Sequence, residues 1–111
     1  LNEAFIVEQI GHFFNLYHTH ETTFGNELVN RSNCGTAGDL CCDTPADPGL
    51  TGKVATNCQY TGTSSDANGS YYTPTTNNFM SLSPLACRCF FSDKQLIRMI
   101  NCMLKTKSHL W

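Results

Sequence analysis

Apolar side chains at Ala4, Phe5, Ile6, Val7, Ile10, Phe13, Phe14 and Tyr17 recur at a spacing that predicts a mostly buried helix over residues 3–17. A second helical pattern lies towards the other end. There Leu96, Ile97, Ile100, Met103 and Leu104 form one stripe, expected to pack inward, while Lys94, Arg98, Lys105 and Lys107 point away. Ser92 followed by Gln95 reads as a capping box for this helix, with Phe91 and Leu96 at the two staple positions. Between the helices, residues 19–76 shift to Gly, Asn, Thr, Ser, Asp and Pro with few apolar runs, the composition of turns and loops. An irregular stretch of that length needs disulfides, a bound ion or a neighbouring subdomain to hold it. The fold class expected is therefore mainly irregular with two α-helices, and no internal repeat or heptad run is present.

Composition narrows the function classes. With 111 residues, 41% of them hydrophobic and 14% charged, the chain is long enough for one core. A net charge of -2 leaves no basic stripe for nucleic acid and no polybasic face for an anionic membrane. The longest apolar runs, such as Ala4-Phe5-Ile6-Val7, are far too short for a membrane span. The start at Leu1-Asn2-Glu3 lacks the basic region and cleavage site of a signal peptide and reads as a cut end. Seven cysteines point to a secreted or extracytoplasmic setting, where such a density has structural use. No Cys-x-x-Cys pair occurs, so disulfides with one thiol left over are favoured over a cysteine zinc knuckle.

Candidate chemistry centres on His12 and His18, six residues apart, the first near a helix end and the second just past it, a spacing that suits a shared metal. Metzincin proteases carry His-Glu-x-x-His-x-x-Gly-x-x-His, with three zinc-binding imidazoles and a glutamate base, followed later by a methionine turn. The glycine of that pattern turns the chain out of the helix with positive φ, and Asn15 is the next-best residue for that conformation. On this frame Glu8-Gln9-Ile10-Gly11-His12 occupies the His-Glu-x-x-His segment, and residues 10–20 resemble the pappalysin-family metalloproteases. Three further blocks share the resemblance: Gly38-Asp39-Leu40-Cys41-Cys42-Asp43-Thr44-Pro45, the methionine-turn segment around Met80, and residues 90–99, which resemble the helix closing the domain.

The resemblance covers nearly the whole chain. It implies a metzincin-like lower subdomain over residues 1–111: active-site helix, long disulfide-stapled loop region, methionine turn and C-terminal helix. The resemblance further implies that the family's upper, N-terminal subdomain, with its twisted sheet, lies outside these residues. The apolar face of the first helix is then expected to be covered by that subdomain or by another chain. The resemblance also implies disulfides Cys34–Cys58 and Cys42–Cys87, with Cys89–Cys102 as a third pair and Cys41 left over. It implies calcium at the acidic stretch, where Asp39, Asp43, Thr44 and Asp47 would supply hard oxygen ligands. The same aspartates also suit turns that bond their own backbone.

Three departures bear on activity. Glu8 stands where the first zinc-binding histidine belongs, and since a carboxylate binds zinc, the change weakens a zinc site without abolishing it. Gln9 stands at the position of the glutamate base, and an amide cannot take a proton from water. Leu82, two after Met80, replaces a tyrosine whose hydroxyl can stabilise the tetrahedral intermediate. Two readings stay open: a non-catalytic domain serving as a structural or protein-binding module, and an active zinc endopeptidase with a Glu-His-His site acting on protein or peptide. A third, that Glu8 and Gln9 are engineered to trap a substrate, sits poorly with Leu82, because a trap needs only the base removed. His20 is expected at the surface, and Tyr60, Tyr71 and Tyr72 line a cleft or cap the core. Asn30-Arg31-Ser32 and Asn68-Gly69-Ser70 match the glycosylation acceptor pattern.

Overall fold

A computed structural model describes residues 3–105. Helix α1, Glu3–Phe13, and helix α2, Asp93–Lys105, stand at its two ends, with a single 3-10 turn at Leu85–Cys87 before α2. Among the described residues strand pairing is limited to isolated bridges, Val54 with Tyr60 and Ser65 with Tyr71 antiparallel, and Asn78 with Phe90 parallel. The expected class, two helices around a mainly irregular segment, is the one observed.

Helix α1 stops at Phe13 because the chain turns left-handed two residues later. Asn15 has φ 77°, and the Leu16 amide donates back to the Gly11 carbonyl at 2.9 Å, closing the helix end. The face that α1 buries is small and polar, Ala4, Glu8 and Gly11. A Cβ at Gly11 would lie 2.6 Å from Met80 Sδ, so only glycine permits this approach of helix to methionine turn. The expectation of a mostly buried helix is corrected accordingly: Phe5, Ile6, Ile10 and Phe13 are 41–53% exposed.

Helix α2 departs from expectation in the same way. Leu96, Ile97, Ile100 and Leu104 are exposed, and the only residue that α2 buries is Gln95. The reason is that the helix is fastened by its polar first turn. The capping box is present: the Gln95 amide donates to Ser92 Oγ at 3.1 Å and the Ser92 amide to Gln95 Oε1 at 2.8 Å. Phe91 packs on the Phe79 ring, 4.9 Å between centroids, while Leu96 is exposed, so the apolar contact at this entry is made to the methionine turn. Arg98, expected to face away, reaches back to the turn that follows α1: Nε donates to the Asn15 carbonyl at 2.8 Å, and the guanidinium lies 5.2 Å from the Tyr17 ring centre. Lys107 lies outside the described residues.

The centre of the molecule is half polar. Leu50 and Met80 are fully buried together with Asn78, Gln95, Asp39, Ser81 and Ser83. Asn78 and Gln95 bond each other through both amide ends, at 2.8 and 3.2 Å, and Asn78 Oδ1 also accepts from the Met80 amide at 2.8 Å. Gln95→Ala would therefore remove a helix cap and orphan a buried amide. The cap alone is worth about 1 kcal/mol and the orphaned group roughly 1–3 kcal/mol. Urea unfolding is expected to show a loss of about 2–4 kcal/mol; a loss below about 1 kcal/mol would mean that the amide pair is not structural.

The disulfide pairing also needs correction. The same four sulfurs are joined, but as Cys34–Cys42 and Cys58–Cys87, not Cys34–Cys58 and Cys42–Cys87. A tight run of turns over residues 33–40, and Arg31 donating to the Cys42 carbonyl, bring the Cα atoms of Cys34 and Cys42 to 4.9 Å. The Thr76 hydroxyl, bonded to the Cys58 carbonyl, draws Cys58 to the segment leading to Cys87, with Cα atoms 5.7 Å apart. The expected Cys89–Cys102 bridge is not formed. Phe90 is held on Asn78, and Cys102 is nine residues into α2, about 14 Å along a helix axis, beyond the roughly 7 Å a disulfide spans. Cys41 is a buried free thiol, and burial, then the charge of Asp39, push it up to about 12, far from a reactive thiolate.

Candidate functional site

The helix end and the loop after it bring three metal-competent side chains together. Glu8 and His12 lie one turn apart on α1, and the left-handed step at Asn15 swings the chain back so that His18 faces them. Thr19 is then fixed to the methionine turn by its amide, which donates to the Met80 carbonyl at 3.0 Å. The donor atoms are close: His18 Nε2 to Glu8 Oε2 is 2.9 Å, His12 Nε2 to His18 Nε2 3.1 Å, and His12 Nε2 to Glu8 Oε2 3.6 Å. Glu8, His12 and His18 are the group of His, Cys, Asp and Glu side chains among the described residues that converges as a metal site would.

These residues fit a zinc ion. Ligands about 2.0–2.1 Å from a tetrahedral zinc lie about 3.3 Å from one another, the middle of the separations found. His12 Nδ1 donates to the Leu16 carbonyl at 3.0 Å, which leaves Nε2 of the neutral ring with its lone pair towards the group. The His18 Nε2–H then donates to Glu8 Oε2, and a metal would displace that proton. Met80, 0% exposed, forms the floor under α1.

One partner was not legible in the motif. Arg88, just after the 3-10 turn, donates from Nη1 to Glu8 Oε1 at 2.9 Å and from Nε to the Ser83 carbonyl at 2.7 Å. The two side chains are 8% and 10% exposed, so this is a buried ion pair. Burial alone would raise the Glu8 carboxyl; the His18 hydrogen bond and the Arg88 charge outweigh it and hold the group below the usual carboxylate range. Gln9 and Leu82 are both exposed. His20 is not a free surface residue as expected: its ring stacks on His18 at 4.8 Å, and burial, then His18, lower its pKa.

The acidic stretch is only partly gathered. Asp39 accepts the Thr44 hydroxyl at 2.8 and 2.7 Å and the Cys41 amide at 3.0 Å. Asp43 instead accepts from the Lys94 amide at the start of α2, at 2.9 Å. Asp47 accepts from Thr19 at 2.6 Å and from the Gly49 amide at 2.7 Å. The residue missed is Glu27, whose two carboxylate oxygens are buried without any hydrogen-bond partner. Burial, then the charge of Asp39, raise its carboxyl to about 7. Burial likewise raises Asp39 to about 6. Glu27, Asp47, Thr19 and Tyr72 line one cavity of about 170 Å³. Of the other loop aromatics, Tyr71 is 71% exposed and the Tyr60 hydroxyl is buried without a partner.

No characterised protein and no solved structure matches the chain significantly. The family model described as pregnancy-associated plasma protein-A, of the M43 peptidases, matches residues 2–104. That span takes in both helices, the converging Glu8, His12 and His18 and the methionine-turn segment; the chain belongs to the pappalysin (M43) family of zinc-dependent metallopeptidases.

Proposed function

We propose that this chain is a non-catalytic pappalysin-like domain, the lower subdomain of the family's catalytic unit, working as a protein-binding module. The observation that carries this reading is Gln9, the amide that follows Glu8 in sequence at the position of the family's base. Hydrolysis needs a group there that accepts a proton from the attacking water and returns it to the leaving amine, and an amide does neither. Leu82 adds the loss of a hydroxyl donor for the oxyanion. Zinc, when bound, would polarise a water at Glu8, His12 and His18. This chain's own residues hold the donors in place but provide no proton relay.

A groove of about 690 Å³ runs from His12 and Phe13 past Leu40 to Ile97 and Arg98, and it supports a retained peptide-binding surface. The exposed apolar face of α1, Phe5, Ile6, Ile10 and Phe13, fits an upper subdomain or another chain seated over it. Two disulfides fit an oxidising, extracellular setting, and no described helix is long and apolar enough to cross a membrane. Calcium is the ion we assign to the Glu27 and Asp47 cavity, since two unpartnered buried carboxylate oxygens call for a hard cation.

Loss of the base alone predicts a rate at least about 10²–10⁴-fold below a working family member. The purified full-length protein, incubated with a peptide library and zinc, is expected to give no cleavage that a chelator abolishes. Chelator-sensitive cleavage retained on purification to homogeneity would overturn the reading in favour of an active Glu-His-His endopeptidase.

A further inference from the structure

Arg88 is 80 residues from Glu8 in sequence, yet its guanidinium is the nearest permanent charge to the three converging donors. A guanidinium does not lose its proton in a protein, so this charge stays at any ordinary pH. It is fixed from both sides, by Glu8 Oε1 and by the Ser83 carbonyl of the segment following Met80. Glu8 thus divides its oxygens: Oε1 belongs to Arg88, while Oε2 faces His12 and His18. A divalent ion arriving at Oε2 would share its carboxylate with a buried cation that cannot leave. The carboxylate would be a weaker donor, and two like charges would lie close together in a region of low effective dielectric.

We propose that Arg88 is the resident cation of this centre: it supplies the positive charge a metal would bring, keeps Glu8, His12 and His18 assembled without metal, and lowers their affinity for zinc. This rests on reading Glu8, His12 and His18 as the family's metal position. Arg88 is in this account a positioning residue, and it makes Glu8 and Arg88 a matched pair. A histidine at position 8 would leave the guanidinium buried beside three imidazoles with no carboxylate, so restoring the histidine alone would not restore the zinc site. Removing the arginine together with the carboxylate would.

The test measures zinc affinity by chelator competition and the thermal midpoint with and without zinc, using the full-length protein. The wild-type midpoint should barely respond to zinc. Arg88→Met should melt lower than wild type in chelator, recover most of the loss in zinc, and bind zinc on the order of tenfold more tightly or better. An Arg88 that only supported the fold would lower the midpoint equally with and without zinc, and that result overturns the proposal. So does a wild-type zinc affinity equal to or above that of Arg88→Met. Should Arg88→Met not fold, the comparison passes to Glu8→His against Glu8→His with Arg88→Met. The double variant should bind at least about tenfold more tightly, and equal affinities overturn the proposal. Absence of zinc binding in every variant overturns the metal position and the proposal with it, while leaving the non-catalytic reading intact; the peptide-cleavage assay tests that reading separately.

Discussion

Reducing the two disulfides is expected to unfold the region between Cys34 and Cys87 at room temperature. The Cys58–Cys87 bridge closes a loop with a sequence separation of 29, and Cys34–Cys42 one of 8. Loop-closure entropy assigns them about 3–4 and about 2–3 kcal/mol respectively, a sum of about 6 kcal/mol. A domain of this size holds only about 5–15 kcal/mol in all, and here few large apolar side chains share the load, Leu16, Leu50 and Met80 being the largest buried ones. Circular dichroism melts with and without reductant would show the loss. The pairing is open to the same series of experiments. Cys58→Ser should expose a reactive thiol at Cys87 and leave Cys34 protected, whereas a Cys34–Cys58 bridge would release Cys34. Cys89, the most exposed unbridged thiol, is able to scramble these bonds, so the labelling belongs in a Cys89→Ser background.

The second large effect concerns Glu27. Its carboxyl is raised from an ordinary 4.5 to about 7, chiefly by burial, so between those values the folded chain holds a proton that the unfolded chain has lost. Stability from this group is full below about pH 4.5 and is lost as pH rises through about 7. Asp39, raised from 3.8 to about 6 by burial, acts in the same direction. His20 acts in the opposite one: its pKa is lowered, so it takes stability away as pH falls below the ordinary histidine value. The buried carboxylates dominate, and the calcium-free protein should be less stable at pH 8 than at pH 5, with about 3 kcal/mol of the difference due to Glu27. Calcium should return that stability at pH 8 and do little at pH 5. Glu27→Gln, the neutral isostere, should be more stable than wild type at pH 8 in chelator and indifferent to calcium. A variant that still gained several degrees from calcium would remove Glu27 from the site.

Features set by neighbours in sequence were the legible ones. The left-handed turn at Asn15 and the Ser92–Gln95 capping box each depend on a few consecutive residues, and both are present. The meeting of Glu8, His12 and His18 needs only one helix turn and that left-handed step. Features set by distant partners were not. Arg88 reaches Glu8 across the whole loop region, and a lone arginine beside two cysteines carries no local signal. Glu27 looks like an ordinary polar loop residue until Gly38 packs on it; a Cβ there would lie 2.5 Å from Glu27 Oε1. Disulfide partners are decided by which turns bring Cα atoms within reach, which spacing does not specify. The apolar stripes of both helices are present in the structure, but they are not its core. Periodicity shows that a face is apolar, not that this chain covers it.

The buried couple of Asn78 and Gln95 has a consequence for how the molecule meets acid. Both partners are amides, and neither gains or loses a proton over any pH at which the backbone survives. Acidification can neutralise Glu8 against Arg88 and so loosen the metal position, yet the amide joint between the methionine turn and α2 is blind to it. An acid-opened form of this protein should therefore keep the first turn of α2 docked through Asn78 and Gln95, even after acid neutralises the Asp43 carboxylate that accepts from the Lys94 amide.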